Sequence, residues 1–270
     1  MKTEEVELLK HIKRKTVGCF QLSEDNMEKL KGIFPEKSNN EKFSHIKHKD
    51  ISNYVPYLIM DDRTFIRGFN FNNNGMACAL PLANPVLIYF HFAQATLKDT
   101  LLLRKELLDL FKNNTIAVDG EPLKLFYNFF GIASTFVVML VTSLEAFVNS
   151  KIDKDFLYRK KDGNKCVKVY DYEQIQRWIS YEEKVTKILN KTTNKNFAKN
   201  YPLCQKQIDE LLKLRNEVIH TKTDNTYDYY EHLYTDMLSF KFNETIIAVR
   251  DFINYYEENL IEQCPCKANS

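Results

Sequence analysis

Twenty consecutive residues, Leu125 to Leu144, carry no charge, between Lys124 and Glu145. As a helix this run is about 30 Å long, enough to cross a bilayer. Such a segment must be covered by lipid or by other protein. It contains Asn128, Gly131, Ser134, Thr135, Thr142 and Ser143, and its flanks lack a strong basic cluster or a Trp belt. The run therefore predicts the central buried helix of a bundle, with a membrane span as the alternative.

Turn-forming residues point the same way. Seven Gly and seven Pro in 270 residues are less than half the usual supply. An all-β sandwich or barrel needs many tight turns, and neither G-x-G-x-x-G nor G-x-x-x-x-G-K-[ST] occurs. The expected fold is all-α, a four-to-five-helix bundle with an additional N-terminal region.

The organisation follows from helix signals. Residues 1–83 form an N-terminal region of unknown role. Helices are predicted there over 4–15 (Val6, Leu9, Ile12) and over 24–33, capped by Ser23. Residues 68–76 read as a loop, and 52–66 as a strand or a short helix. The bundle spans 84–262. Asn84-Pro85 starts one long helix, which Asn113-Asn114 ends, and Asp119-Gly120-Glu121-Pro122 opens the next, to about Asn149. Residues 151–170 read as a hairpin-like insertion turning at Asp162-Gly163-Asn164. Asp171 caps a helix through Ile175, Trp178, Ile179, Val185, Ile188 and Leu189, with Trp178 in the core. Pro202 starts a helix through Ile208, Leu211 and Ile219, and a last helix carries Phe242 to Leu260. Residues 263–270 are a tail.

The net charge of +2 conceals an uneven distribution. Residues 151–222 hold 17 basic and 10 acidic residues, and residues 223–270 hold 3 and 9. These are either solvated helix faces or a basic face for a polyanion. The six Cys are scattered without a C-x-x-C, and the N-terminus is charged where a signal peptide would be apolar. Reduced thiols and a cytoplasmic location are expected, without membrane attachment. His45, His48 and Cys19 do not complete a metal-ligand set, so no metal and no cofactor are expected.

The chemistry concentrates in Leu214-Arg215-Asn216-Glu217-Val218-Ile219-His220. Asn216 and His220 are four apart and share a helix face, and the long Arg215 side chain can swing toward them. Arginine pairs bidentately with phosphate, and histidine moves protons near neutrality. Asparagine can orient a phosphate oxygen or a ribose hydroxyl. No acidic pair at metal-ligand spacing accompanies them. RNA supplies its own nucleophile, the 2′-hydroxyl, so an acid, a base and charge stabilisation suffice. Two protomers docked helix to helix would bring two His and two Arg into one cleft. Glu145 either orients Arg215 by an ion pair or ends the apolar face of its helix. Tyr227, Tyr229, Tyr230 and Tyr234 either stack on bases or pack, and His91 reads as a core or interface residue.

Arg215-Asn216-x-x-x-His220, late in a helical bundle, resembles the signature of the HEPN superfamily. The order of two long helices, an insertion, a motif helix and a final helix is similar too. Glu145 and Asn149 resemble polar positions on the second helix of such bundles. The resemblance spans roughly 84–262 and implies a dimeric helical domain acting on RNA. Many members are metal-independent endoribonucleases that leave a 2′,3′-cyclic phosphate, in toxin–antitoxin, abortive-infection and antiviral systems. The resemblance thus implies Arg215, Asn216 and His220 as catalytic residues, with Glu145 and Asn149 auxiliary. RNA, a second copy of the chain and an antitoxin or defence protein are the partners it implies. Other members are silent RNA- or protein-binding modules. Where some members carry a Tyr two residues after the His, this chain has Lys222.

Overall fold

The computed structural model describes residues 12–21, 47, 49, 53, 55–59, 64–113, 120–162, 166–221 and 227–264. The chain is mostly helical with a small antiparallel sheet, and it divides into two compact units. Residues 14–84 form one, and residues 1–13 with 85–270 form the other.

The smaller unit corrects the all-α expectation. Its strands are β1 (Cys19–Gln21), β2 (Tyr57–Ile59), β3 (Thr64–Asn73) and β4 (Met76–Pro81), all pairing antiparallel with β3. Residues 68–76 are a hairpin, not a loop. Asn74 and Gly75 take φ of +52° and +89° at the turn, and the Gly75 N–H donates to Asn72 Oδ1 at 2.7 Å. An Asn-Gly pair suits this two-residue turn, whose twist matches that of the flanking strands. Gly68 is needed for space, since a Cβ there would meet the Leu80 carbonyl oxygen at 2.7 Å. The helix expected over 4–15 does not include residues 12–15: Ile12 bridges to Gln263 instead. The helix expected over 24–33, and His45 and His48, lie outside the described residues.

In the larger unit, α1 (Pro85–Asn113) and α2 (Gly120–Ser150) make the most extensive helix–helix contact. Each is roughly 45 Å long, and the short link between them forces the second to double back along the first. Along α2, Phe129, Ala133, Phe136, Leu140, Leu144 and Phe147 recur at helical spacing and are fully buried. The buried Ser143 hydroxyl donates to the Val86 carbonyl at 2.8 Å, which satisfies it. Among the described residues α2 alone is long and apolar enough to cross a membrane, and half of its most apolar stretch is buried inside the protein.

Strands β5 (Tyr158–Asp162) and β6 (Cys166–Tyr170) form the expected hairpin, whose tip residues 163–165 lie outside the described ones. Asp171 caps α3 (Tyr172–Trp178) in a capping box with Gln174. The helix then stops, which corrects the continuous one expected through Leu189. Ile179 is extended, and Ser180 caps α4 (Tyr181–Glu183) by accepting from the Glu183 N–H at 3.2 Å. The break turns Trp178 outward, so it is 65% exposed rather than core. A π-helical stretch (Lys184–Leu189) and α5 (Asn190–Thr193) follow, then α6 (Phe197–Asn200), α7 (Pro202–Ile219), α8 (Asp228–Ser239) and α9 (Phe242–Tyr256). Helix α9 buries Phe242, Ile246, Val249, Phe252 and Ile253 in the same core as α2.

Candidate functional site

Pro202 opens α7 at its first turn, where a missing N–H does no harm. Ile208, Leu211 and Leu214 are buried and fix the roll of the helix. That roll sets Arg215 against α2, one residue past the buried Leu214. Its Nη2 donates to Glu145 Oε1 at 3.2 Å, and its Nη1 donates to Asn216 Oδ1 at 3.1 Å. Glu145 is therefore the ion-pair partner of Arg215. The pair is partly buried, and two carboxamide or carboxylate acceptors hold the guanidinium in one orientation.

One turn further along α2, Asn149 Oδ1 accepts from Lys184 Nζ at 2.9 Å. The carbonyl of Gln176 accepts from the same amine at 2.7 Å. Lys184 is only 7% exposed, yet both its acceptors are neutral. Burial pushes its pKa down, and the nearby Glu145 carboxylate partly restores it. Tyr181 is packed against the hydrophobic core, and burial pushes its phenol well up.

These side chains share a cleft of about 550 Å³. Of the residues expected to act, Glu145, Asn149, Arg215 and Asn216 line it. So do Lys184, Arg177 and Tyr181, which the sequence reading missed. Three cations, Arg177, Lys184 and Arg215, face two carboxylates, Glu145 and Glu182. All three cations come from the basic segment 151–222. The signal that could have found Lys184 is the Ser180-x-x-Glu183 cap, which starts a new helix and places the lysine in its second turn. A π-helical stretch begins at that lysine, a distortion frequent at functional sites.

His220 stands apart from the cleft lining. It ends α7, its backbone N–H donating to the Asn216 carbonyl at 3.0 Å. Its side chain is exposed, without a partner among the described residues. Lys222 lies outside the described residues.

Among the tyrosines, Tyr229 and Tyr234 have packing roles. The Tyr229 hydroxyl donates to the Glu217 carbonyl at 3.0 Å, and Tyr234 sits edge-on to Phe126 and Phe130, each at 5.0 Å. Tyr227 is 73% exposed, and His91 sits edge-on to Phe92. Cys78 and Cys204 are free thiols, whereas Cys264 is disulfide-bonded, against the expectation of reduced thiols throughout. Pairing follows from proximity in space, which cysteine spacing alone did not reveal. Among the described residues no cluster of three or more His, Cys, Asp or Glu could hold a metal ion. No family profile, curated protein or solved structure matches the chain.

Proposed function

We propose that this chain is a metal-independent endoribonuclease of HEPN type, with a helical bundle over 84–262 that works as a homodimer. The observation that carries the reading is the Glu145–Arg215 ion pair, which holds a guanidinium in a cleft five residues before an exposed histidine. Arg215 binds the scissile phosphate and stabilises the charge that builds on it. Asn216 positions a phosphate oxygen or the 2′-hydroxyl.

The ribose 2′-oxygen attacks the adjacent phosphorus while a base takes its proton. The bond from phosphorus to the 5′-oxygen breaks as an acid protonates the leaving oxygen. The products are a 2′,3′-cyclic phosphate and a free 5′-hydroxyl. One His220 serves one proton transfer, and His220 of a second copy serves the other. An exposed helix end can be shared between two copies, which suits a histidine outside its own cleft lining. The biological role we propose is a cytoplasmic toxin or antiviral-defence effector held in check by a partner protein.

The test is His220→Ala, assayed on RNA in EDTA-containing buffer. Cleavage is expected to fall by about 10²–10⁴-fold. Melting should be unchanged, because the His220 side chain is exposed and hydrogen-bonds to none of the described residues. Unchanged cleavage would overturn the assignment. The position of His220 outside the cleft lining also favours a second reading, a catalytically silent HEPN-like module. Wild-type protein that binds RNA or a partner without cutting, and is not toxic on expression, would select that reading.

A further inference from the structure

Two of the three cations in the cleft are anchored on one face of α2, in different ways. Arg215 is held by Glu145, and its charge is offset there. Lys184 is held by Asn149, one turn along α2, and by a backbone carbonyl, so its charge meets no carboxylate at hydrogen-bond distance. A lysine amine has three N–H donors, and the two acceptors account for two of them. A buried cation is costly unless an anion completes its surroundings. The anchoring residues Glu145 and Asn149 are separated by about 6 Å of helix rise. That rise is comparable to the step between successive phosphates of a nucleic-acid strand.

We infer that Lys184 binds a second phosphate of the RNA strand, next to the one on Arg215, so that the cleft grips two consecutive phosphates. The inference rests on the reading of Arg215 as a phosphate ligand. Lys184 supplies a charge with no carboxylate at hydrogen-bond distance, and Asn149 positions its amine. The exposed Arg177 at the cleft wall adds attraction for the same strand. Glu145 and Glu182 disfavour anions in general, so the grip needs the ligand seated on both cations at once.

The experiment measures binding by calorimetry to 2′-O-methyl uridine dinucleotides, which cannot be cleaved, with and without a terminal 5′- or 3′-phosphate. For wild-type protein, one terminal phosphate should strengthen binding by roughly tenfold. In Lys184→Gln that gain should vanish, while binding of the unphosphorylated dinucleotide changes little. Arg215→Gln should weaken all the dinucleotides. Lys184→Gln alters a buried position, so Asn149→Asp is the second variant. It gives the amine a carboxylate, should melt at or above wild type, and should still lose the phosphate gain. A gain that persists in a folded Lys184→Gln or in Asn149→Asp overturns the inference. So does the absence of any gain in wild type, or tighter binding of uridine diphosphate than of the phosphorylated dinucleotide. Wild-type protein that shows the Lys184-dependent gain but cleaves no RNA leaves the two-phosphate grip standing and removes the ribonuclease reading. Protein that cleaves RNA but shows no gain does the reverse.

Discussion

Aromatic residues on α2 and on the far half of β3 meet different surroundings. In the larger unit Phe129, Phe136 and Phe147 are fully buried along α2. In the smaller one Phe69 and Phe71 of β3 are 43% and 51% exposed. The residue type is the same, and the difference is how much of the face is covered, since Phe65 on the same face of β3 is only 6% exposed. On α2 a spacing of three and four gathers the rings on the face that other helices cover. On β3 a spacing of two puts both rings on one face of a thin sheet. A high aromatic content therefore does not measure a core, and periodicity shows which rings share a face rather than whether that face is covered.

Truncating a ring in each unit puts this contrast to the strongest test. Phe136→Ala should lose about 3–5 kcal/mol of stability in chemical denaturation. Phe71→Ala should stay within about 0.5 kcal/mol. Equal losses would break the contrast. Glycine offers a smaller and sharper version. Gly75→Ala should destabilise by about 1 kcal/mol, since a side chain is strained at its φ of +89°. Gly131→Ala should stabilise by up to about 1 kcal/mol, because that glycine is mid-helix and a Cβ there meets nothing within 4 Å. One substitution thus has opposite signs in the two units, and thermal melts would read both.

The β5–β6 hairpin belongs to the helical unit but is tied down by polar contacts, so its expected effects are the smallest. The Tyr158 hydroxyl donates to Glu183 Oε1 at 2.7 Å, and Lys160 Nζ donates to Oε2 at 2.7 Å. Desolvation first, and then the Glu183 carboxylate, push Tyr158 up to about 12 from its usual 10.0. The folded protein keeps this proton longer than the unfolded chain. The contribution is full below pH 10 and is lost as pH rises toward about 12. Glu183 is shifted the other way, by Lys160 and then Tyr158, so its contribution is present above its usual 4.5 and is lost as pH falls through its lowered value. Hydrogen-exchange protection of the hairpin should decline at both ends, and Tyr158→Phe should remove the alkaline decline and lessen the acidic one, because Lys160 alone then holds the Glu183 carboxylate.

What the sequence revealed follows the same division. The start of α1 at Asn84-Pro85, the capping residue Asp171 and the start of α7 at Pro202 were legible because a cap or a proline acts locally. The burial of α2 was legible because an uncharged run admits few alternatives. The break at Ile179 was missed because apolar residues on both sides of it kept a helical spacing, while the Ser180 cap was a weaker mark. Trp178 was misplaced by that same error. The β3–β4 hairpin was missed because its Asn-rich strands have a loop-like composition, although Asn74-Gly75 with alternating Phe69 and Phe71 is a hairpin pattern. At the site, Glu145, Asn149, Arg215 and Asn216 were marked in the sequence. Lys184 was not, because a buried lysine looks like any surface lysine until its surroundings are known.

The pairing of α1 with α2 also sets an order of assembly. Helices adjacent in sequence find each other after closing a short loop, so this hairpin is favoured to form early. Its second arm carries Glu145 and Asn149 from the outset. Arg215 meets Glu145 across 70 residues of chain, so the other wall arrives only when α7 docks. The pocket is thus among the later features to form, and partly folded chains that hold the central hairpin would still lack a competent site.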